Sequence, residues 1–180
     1  MLEDTLLLWK YKRGSRDALE KIYDKYETYL ITVATALLNN THDAEDVLHD
    51  FFVSFVKSAD KIKLQGSLKA YMATCVANLA RNRMKRKQLE HVASGDDSYS
   101  EPIASGAELP AIQKEETVIL NQAMYELPFE QKEIIVLHLQ GNMKFTEIAK
   151  LRNTSVNTVR SRYRYGLDKL RTLLNSEVIK

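Results

Sequence analysis

The sequence predicts an all-α fold with two small helical domains, and two features of the chain indicate it. Apolar residues recur at helical spacing through most of the chain, for example over residues 19–38 and 156–174. Between these periodic regions the composition changes at residues 92–116, which are rich in acidic residues, glycine, proline and serine. We therefore expect a first domain at 1–91, a flexible acidic linker at 92–116 and a second domain at 117–180.

The overall composition excludes several classes of protein. The chain has 180 residues, of which 44% are hydrophobic and 28% are charged, values typical of a soluble protein with a packed core. No apolar run approaches the ~20 residues that a membrane-spanning helix needs, and the first residues do not form a signal peptide. We therefore expect a cytoplasmic protein with no membrane insertion.

Groups that could perform catalysis or bind a metal are scarce. Cys75 is the single cysteine, which excludes an internal disulfide, and the four histidines are scattered without ligand spacing. The sequence contains no phosphate-binding loop and no nucleophile with a plausible base. We therefore expect no metal, no cofactor and no enzymatic activity.

Four helices are predicted in the first domain, at about residues 3–12, 16–38, 43–57 and 68–90. Ser15 and Ser67 stand where their hydroxyls can cap the second and fourth of these helices. On the third helix Asp46, His49 and Asp50 share one exposed strip. Acidic residues near a helix N-terminus favour the helix dipole, and the same strip could also dock a basic partner surface.

The fourth helix has a polar side formed by Thr74, Asn78, Arg81 and Lys85. Its C-terminal stretch at 81–88 carries five cations and no acidic residue. Cations favour a helix C-terminus, and this density of positive charge also suits the binding of phosphates.

The second domain is predicted to hold four helices that end in a helix-turn-helix. A short helical pattern from Phe145 is followed by a polar break and a longer helical pattern, with Ser155 as the candidate N-cap of the longer helix. In this arrangement the second helix is offered to a DNA groove.

The longer helix has two distinct faces. Its apolar residues gather on the side that we expect to be buried, namely Val156, Val159, Tyr163, Leu167, Leu170 and Leu174. The opposite side carries short polar residues flanked by arginines, an order that suits base edges in the centre and phosphates on both walls of a major groove. A solvated basic face on a packing helix is the alternative interpretation.

Two stretches of the chain resemble the extracytoplasmic-function class of bacterial RNA polymerase sigma factors. The first is Asp-Ala-Glu-Asp-Val-Leu-His-Asp-Phe-Phe at 43–52 together with Ala-Asn-Leu-Ala-Arg-Asn at 77–82, and the second runs from Leu-Pro at 127–128 to Thr-Val-Arg-Ser-Arg at 158–162. The resemblance covers nearly all of the chain, and the order of the two stretches with an acidic linker between them is highly specific.

The resemblance implies three binding surfaces. In that family the first domain grips the clamp of the polymerase and melts the minus-ten promoter element, and the second domain reads the minus-thirty-five element. Asp46, His49 and Asp50 match the clamp-contacting helix, where the family commonly has glutamine and glutamate at the positions of His49 and Asp50.

The loop at 60–67 matches the family's specificity loop, which captures a flipped base, and Asn78 is the residue we expect to contact a base directly, because its amide presents a donor and an acceptor. The residues expected at the minus-ten element are Lys61, Lys63, Gln65, Asn78, Arg81, Asn82 and Lys85.

The last helix matches the family's groove-reading helix through Arg160, Ser161 and Arg162. Tyr165 stands where a basic residue is frequent, and Lys144 stands where a serine or threonine often caps the first helix of the motif. The residues expected at the minus-thirty-five element are Asn157, Thr158, Arg160, Ser161, Arg162, Arg164 and Tyr165.

The expected partners are core RNA polymerase, promoter DNA and an anti-sigma factor. A stand-alone helix-turn-helix regulator that needs no polymerase is the alternative function. It would explain the arginines of the last helix, but it leaves the acidic strip, the basic fourth helix and the linker without a shared purpose.

Overall fold

A computed structural model describes residues 2–58, 61–62, 64, 66–94 and 111–178. Within these ranges the chain is all-α, with eight helices and no strand. The helices are α1 (Leu2–Lys12), α2 (Arg16–Leu38), α3 (Thr41–Ser58), α4 (Leu68–Ser94), α5 (Ala111–Tyr125), α6 (Phe129–Leu139), α7 (Phe145–Leu151) and α8 (Val156–Val178).

Side-chain hydrogen bonds fix the starts of α2, α3 and α4. Ser15 Oγ accepts a hydrogen bond from the Ala18 N–H at 3.3 Å, and Ser67 Oγ accepts from the Ala70 N–H at 3.1 Å. Both bonds confirm the predicted caps of α2 and α4. Asn39 ends α2 in the left-handed conformation, with φ of 53°, and Asn40 Oδ1 then accepts from the N–H of residue 43 at the start of α3.

The first domain is built by α1, α3 and α4 packing around α2. The apolar face of α2 is fully buried at Ile22, Leu30 and Leu37, and Phe51 and Phe55 of α3 fill the space against it. Tyr11 of α1 stacks on Phe55 with ring centroids 5.7 Å apart. Large apolar side chains on a 3.6-residue period therefore form one core.

The second domain is organised around α8, which packs against α5, α6 and α7. Gly166 lies at the crossing of α8 and α6, where a Cβ would approach Ile135 Cδ1 to 2.8 Å, so only glycine fits without a shift. The two domains also contact each other, because α6 packs against α2 and α4 of the first domain.

Both ends of the segment at 92–116 are helical, because they belong to α4 and α5. α4 extends to Ser94 and α5 begins at Ala111. Residues 95–110 lie outside the described part of the chain.

Candidate nucleic-acid and polymerase interface

The helix-turn-helix is held by a serine cap and by a cluster of three rings. Ser155 Oγ accepts a hydrogen bond from the Thr158 N–H at 3.0 Å, as the sequence predicts for the start of α8. The rings of His138, Phe145 and Tyr163 join α6, α7 and α8, with centroids 4.3 to 5.1 Å apart. These contacts fix the angle at which α8 leaves the domain.

His138 contributes to this geometry in a way that sequence reasoning missed. Its Nδ1 lies 2.8 Å from the backbone carbonyl oxygen of Met143, so Nδ1 carries the hydrogen and donates it. The bond ties α6 to the chain that enters α7. The sequence gives no signal of this role, because the acceptor is a backbone carbonyl in a loop and any residue type could supply it.

The first helix of the motif is started by a glutamate instead of a serine. Lys144 occupies the N-cap position and has no acceptor on its side chain, but the Glu147 carboxylate accepts from the Lys144 N–H at 2.7 Å. Asn153, with φ of 48°, then makes the turn between α7 and α8.

The outer face of α8 is accessible, as the sequence predicts. Asn157, Arg160, Arg164 and Tyr165 are exposed, and the residues of this face that are partly buried are Thr158, Ser161 and Arg162. The Arg164 guanidinium lies over the Tyr165 ring at 5.1 Å from its centroid. The structure therefore brings all seven residues expected at the minus-thirty-five element onto one helix.

The acidic strip on α3 is only partly free. His49 and Asp50 are exposed, whereas Asp46 Oδ2 accepts from Arg83 of α4 at 2.7 Å. Arg83 and Lys87 also bind the buried Asp43, whose side chain is 8% exposed. Burial of Asp43 opposes its ionisation, but the hydrogen bonds from Lys87 and Arg83 outweigh burial and hold its pKa below the ordinary value.

An apolar groove lies beside the acidic strip, between α2 and α3. It has a volume of about 350 Å³ and is lined by Tyr23, His49, Phe52 and Val56 among others. The Val56 side chain is 49% exposed, although the helical pattern assigns it to the apolar face.

The loop before α4 is only partly described. Lys61 is exposed, and the Lys12 ammonium donates to the Ile62 carbonyl at 2.5 Å, which ties the loop to α1. Lys63 and Gln65, which the sequence assigns to the minus-ten element, lie outside the described residues.

The polar side of α4 is divided between solvent and the second domain. Asn82 and Lys85 are exposed. Asn78 Oδ1, by contrast, accepts a hydrogen bond from Arg152 at 2.7 Å, and Arg81 pairs with the Glu133 carboxylate. Two of the residues predicted to bind the promoter are thus in contact with the second domain.

Glu133 and Arg152 are functional candidates that sequence reasoning missed. Glu133 is 1% exposed and accepts from both Arg81 and Arg152. Its spacing from Phe129 and Leu137 places it on an apolar face of α6, which is a signal that the sequence does contain. Arg152 lies in the turn of the motif, where the sequence gives no comparable signal.

Comparison with known proteins identifies the two halves of the chain. Residues 22–90 match the family described as sigma-70 region 2, and residues 117–170 match the family described as sigma-70 region 4. Together the two matches cover α3, most of α2 and α4, and the helix-turn-helix up to residue 170 of α8. The chain belongs to the sigma-70 family and to its extracytoplasmic-function class.

Several relatives span nearly the same length. The chain is 25% identical over 172 residues to the ECF RNA polymerase sigma factor SigW of Bacillus subtilis, covering 91% of this chain and 92% of the relative. It is 25% identical to the RNA polymerase sigma factor CarQ of Myxococcus xanthus, with coverage of 92% and 94%.

Two solved structures share the fold. The structure of CnrH in complex with the cytosolic domain of CnrY matches with a TM-score of 0.64 at 22% identity, covering 97% of this chain and 98% of that one. The sigma factor RpoE in complex with the anti-sigma factor NepR from Bartonella quintana matches with a TM-score of 0.69 at 20% identity, with coverage of 87% and 98%. Among the described residues, no helix has the length and apolar character needed to cross a membrane.

Proposed function

We propose that this alternative sigma factor uses residues 1–91 to grip core RNA polymerase and to open the minus-ten element, and residues 117–180 to read the minus-thirty-five element. The segment at 92–116 joins the two. In this proposal the protein acts in the cytoplasm and directs the polymerase to promoters without catalysing a reaction of its own.

The outer face of α8 is the observation that carries the proposal. Short polar side chains occupy its centre and arginines flank them, while Ser155 and the ring cluster hold the helix at its N-terminal end and its inner side. Such a helix can enter a major groove, place hydrogen-bonding groups against base edges and place cations against phosphates.

The contact with polymerase is assigned to Asp46, His49 and Asp50. His49 and Asp50 point into solvent on α3, next to the apolar groove. Carboxylates beside an apolar groove suit a basic, amphipathic partner helix, which the polymerase clamp would supply.

The minus-ten element is assigned to the loop before α4 and to the polar side of α4. Lys61, Lys63 and Gln65 would surround a flipped base, Asn78 would contact a base, and the remaining contacts would come from Arg81, Asn82 and Lys85. The cost of unstacking a base is a few kcal/mol, which hydrogen bonds and phosphate contacts of this kind can offset.

We also propose an anti-sigma factor as a regulatory partner. RpoE, which shares this fold, is solved with the anti-sigma factor NepR, and CnrH is solved with the cytosolic domain of CnrY. Such a partner would compete with polymerase for the first domain or with DNA for the second.

In vitro transcription with purified core RNA polymerase tests the proposal. Genomic promoter fragments are transcribed with and without the protein, and the start sites are mapped. We expect new start sites preceded by two spaced sequence elements. Absence of initiation, together with binding of duplex DNA by the protein alone, would contradict the proposal and favour the stand-alone regulator.

A further inference from the structure

Arg164 and Tyr165 differ from the other polar residues on the outer face of α8, because they contact each other. The guanidinium carbon of Arg164 lies 5.1 Å from the centroid of the Tyr165 ring, a distance at which a cation is attracted to an aromatic face. Both residues are exposed, Tyr165 by 55%. Among the described residues of α8, no other arginine lies over a ring. Packing within the domain therefore does not account for the Tyr165 ring.

Arg164 is the arginine of α8 that lies nearest to the middle of the outer face. At about 100° per residue, it lies about 140° around the helix from the buried Val159. The corresponding angles are about 100° for Arg160 and about 60° for Arg162. Side chains at the middle of a groove-facing helix meet base edges, whereas those at its margins meet phosphates. The position of Arg164 therefore favours contact with a base.

The hydrogen-bond donors of Arg164 are available to a ligand. Contact with a ring face uses the charge of the guanidinium and none of its five N–H groups. No ion pair of Arg164 occurs among the described residues, and the carboxylate of Asp168, one turn further along, lies 3.9 Å from Arg171 instead. An arginine that a ring already holds has less side-chain freedom to lose on binding.

Asp168 marks the point on α8 where contact with DNA ends. It lies about 180° around the helix from Val159, and its side chain is 59% exposed. Because a carboxylate is repelled by the phosphates of DNA, this position does not suit the groove. Arg164 and Tyr165 are therefore the last residues of the groove-facing stretch. From Asn157 to Tyr165 this stretch spans roughly 12 Å of helix, about the width of the major groove.

We infer that Arg164 and Tyr165 act as one base-reading unit, in which the Tyr165 ring positions the Arg164 guanidinium to bind a guanine of the minus-thirty-five element. The inference rests on the proposed function, because it takes α8 to be the helix that reads this element. Guanine presents two acceptors in the major groove, N7 and O6, and two N–H groups of one guanidinium can bind both. Tyr165 is the positioning residue and supplies no charge of its own.

Base analogues in promoter DNA test the inference on the intact holoenzyme. Promoters are first identified by in vitro transcription. Each guanine of the minus-thirty-five element, on either strand, is then replaced in turn by 7-deazaguanine, which lacks the N7 acceptor and still pairs with cytosine. At one guanine we expect this replacement to weaken binding of the wild-type holoenzyme at least about tenfold, the effect of losing a hydrogen bond to a charged group. Inosine at that position keeps N7 and O6 and should cause no such loss.

Variants of the full-length protein assign the effect to the two residues. Arg164→Ala and Tyr165→Leu should weaken binding to the unmodified promoter and should abolish the further loss caused by 7-deazaguanine. Tyr165→Phe keeps the ring and should retain that loss. Arg171→Ala removes an exposed cation two turns beyond Arg164 and should also retain it. Because all three positions are exposed, denaturant unfolding should show stabilities close to that of the wild type.

The outcomes distinguish this inference from the proposed function. A holoenzyme that initiates at two-element promoters but tolerates 7-deazaguanine at every guanine would overturn the inference alone. Persistence of the 7-deazaguanine effect in Arg164→Ala would assign the guanine to another residue, and persistence in Tyr165→Leu would show that Arg164 needs no ring. Disappearance of the effect in Tyr165→Phe would assign it to the hydroxyl. Each of these three results also overturns the inference. Failure to initiate at any promoter would overturn the proposed function, and this inference with it.

Discussion

Burial of the Lys132 ammonium lowers the stability of the folded protein, and this loss can be measured. Its exposed fraction is 4%, and burial lowers its pKa to about 8. Because the unfolded chain binds this proton more tightly, stability rises with pH between about 8 and 10.5. The Tyr125 ring, 5.9 Å from the ammonium, offsets part of the cost.

Replacement of Lys132 by methionine is expected to stabilise the protein at neutral pH. A pKa lowered to about 8 corresponds to about 3 kcal/mol, of which the variant should recover up to about 2–3 kcal/mol at pH 7. Between pH 7 and pH 9.5 the free energy of unfolding of the wild type should rise by on the order of 2 kcal/mol relative to that of the variant. Denaturant unfolding at both pH values measures this. Lys150→Met, at an exposed position of α7, is the control and should show neither effect.

Asp50 gives the cleaner test of the polymerase surface, because Asp46 is paired with Arg83. Asp50→Lys reverses an exposed charge and should weaken binding to core polymerase at least tenfold without lowering stability. Asp24→Lys, a charge reversal at another exposed position, on α2, should leave binding unchanged. Fluorescence titration with core polymerase measures both variants, and equal affinities would remove α3 from the proposed contact.

Arg160 is the residue of α8 whose replacement best distinguishes recognition of bases from binding of phosphates. Arg160→Ala should weaken recognition of the minus-thirty-five element by about 1–3 kcal/mol if its guanidinium binds a base. When the minus-thirty-five element is varied base by base and its binding to the holoenzyme is measured, the loss of affinity should be confined to a few base positions. A uniform loss over all sequences would make Arg160 a phosphate contact, and Arg164→Ala provides the comparison.

Helix caps link local structure to function at the scale of the element. Ser155→Ala removes the hydrogen bond to the Thr158 N–H and should cost about 1 kcal/mol of stability. Ser15→Ala removes the matching bond at α2 and should cost a similar amount. Only Ser155→Ala should also weaken promoter recognition, because it loosens the groove-facing end of α8. Unfolding and holoenzyme binding of the two variants measure this difference.

The helices and their caps could be predicted from sequence because both depend on near neighbours in the chain. The starts of α2, α4 and α8 follow from serines that bond to an N–H three residues later. The accessible face of α8 follows from the helical period alone.

Contacts between distant residues could not be predicted in the same way. Glu133 and Arg81 are 52 residues apart, and Asp43 and Arg83 are 40 apart. The spacing of Glu133 from Phe129 and Leu137 indicates that it is buried, but nothing local to Glu133 identifies its partner on α4. The assignment of Asn78 and Arg81 to the promoter therefore remains a prediction, and the structure adds a competing contact within the chain.

At the scale of the whole molecule, the surfaces proposed to bind the two promoter elements also contact each other. In the structure the Glu133 carboxylate bridges Arg81 of α4 and Arg152 of the helix-turn-helix. To bind the minus-ten and minus-thirty-five elements at the same time, as we propose, the two surfaces would have to lie about 80 Å apart, the length of roughly 25 base pairs of duplex DNA. The chain between Ser94 and Ala111 sets how far the domains can separate.

Shortening this connection should abolish use of two-element promoters. Fully extended, the 17 peptide steps from Ser94 to Ala111 span roughly 60 Å. Deletion of the eight residues 96–103 reduces that reach to roughly 30 Å. Transcription from a promoter with both elements should fall at least tenfold, whereas binding to core polymerase should persist. Replacement of eight residues, 96–103, by glycine and serine keeps the length and removes three of the four acidic residues of the segment 95–110. If the replacement keeps full activity and the deletion loses it, two-element promoters require the length of this segment. If both lose activity equally, they require its acidic charge.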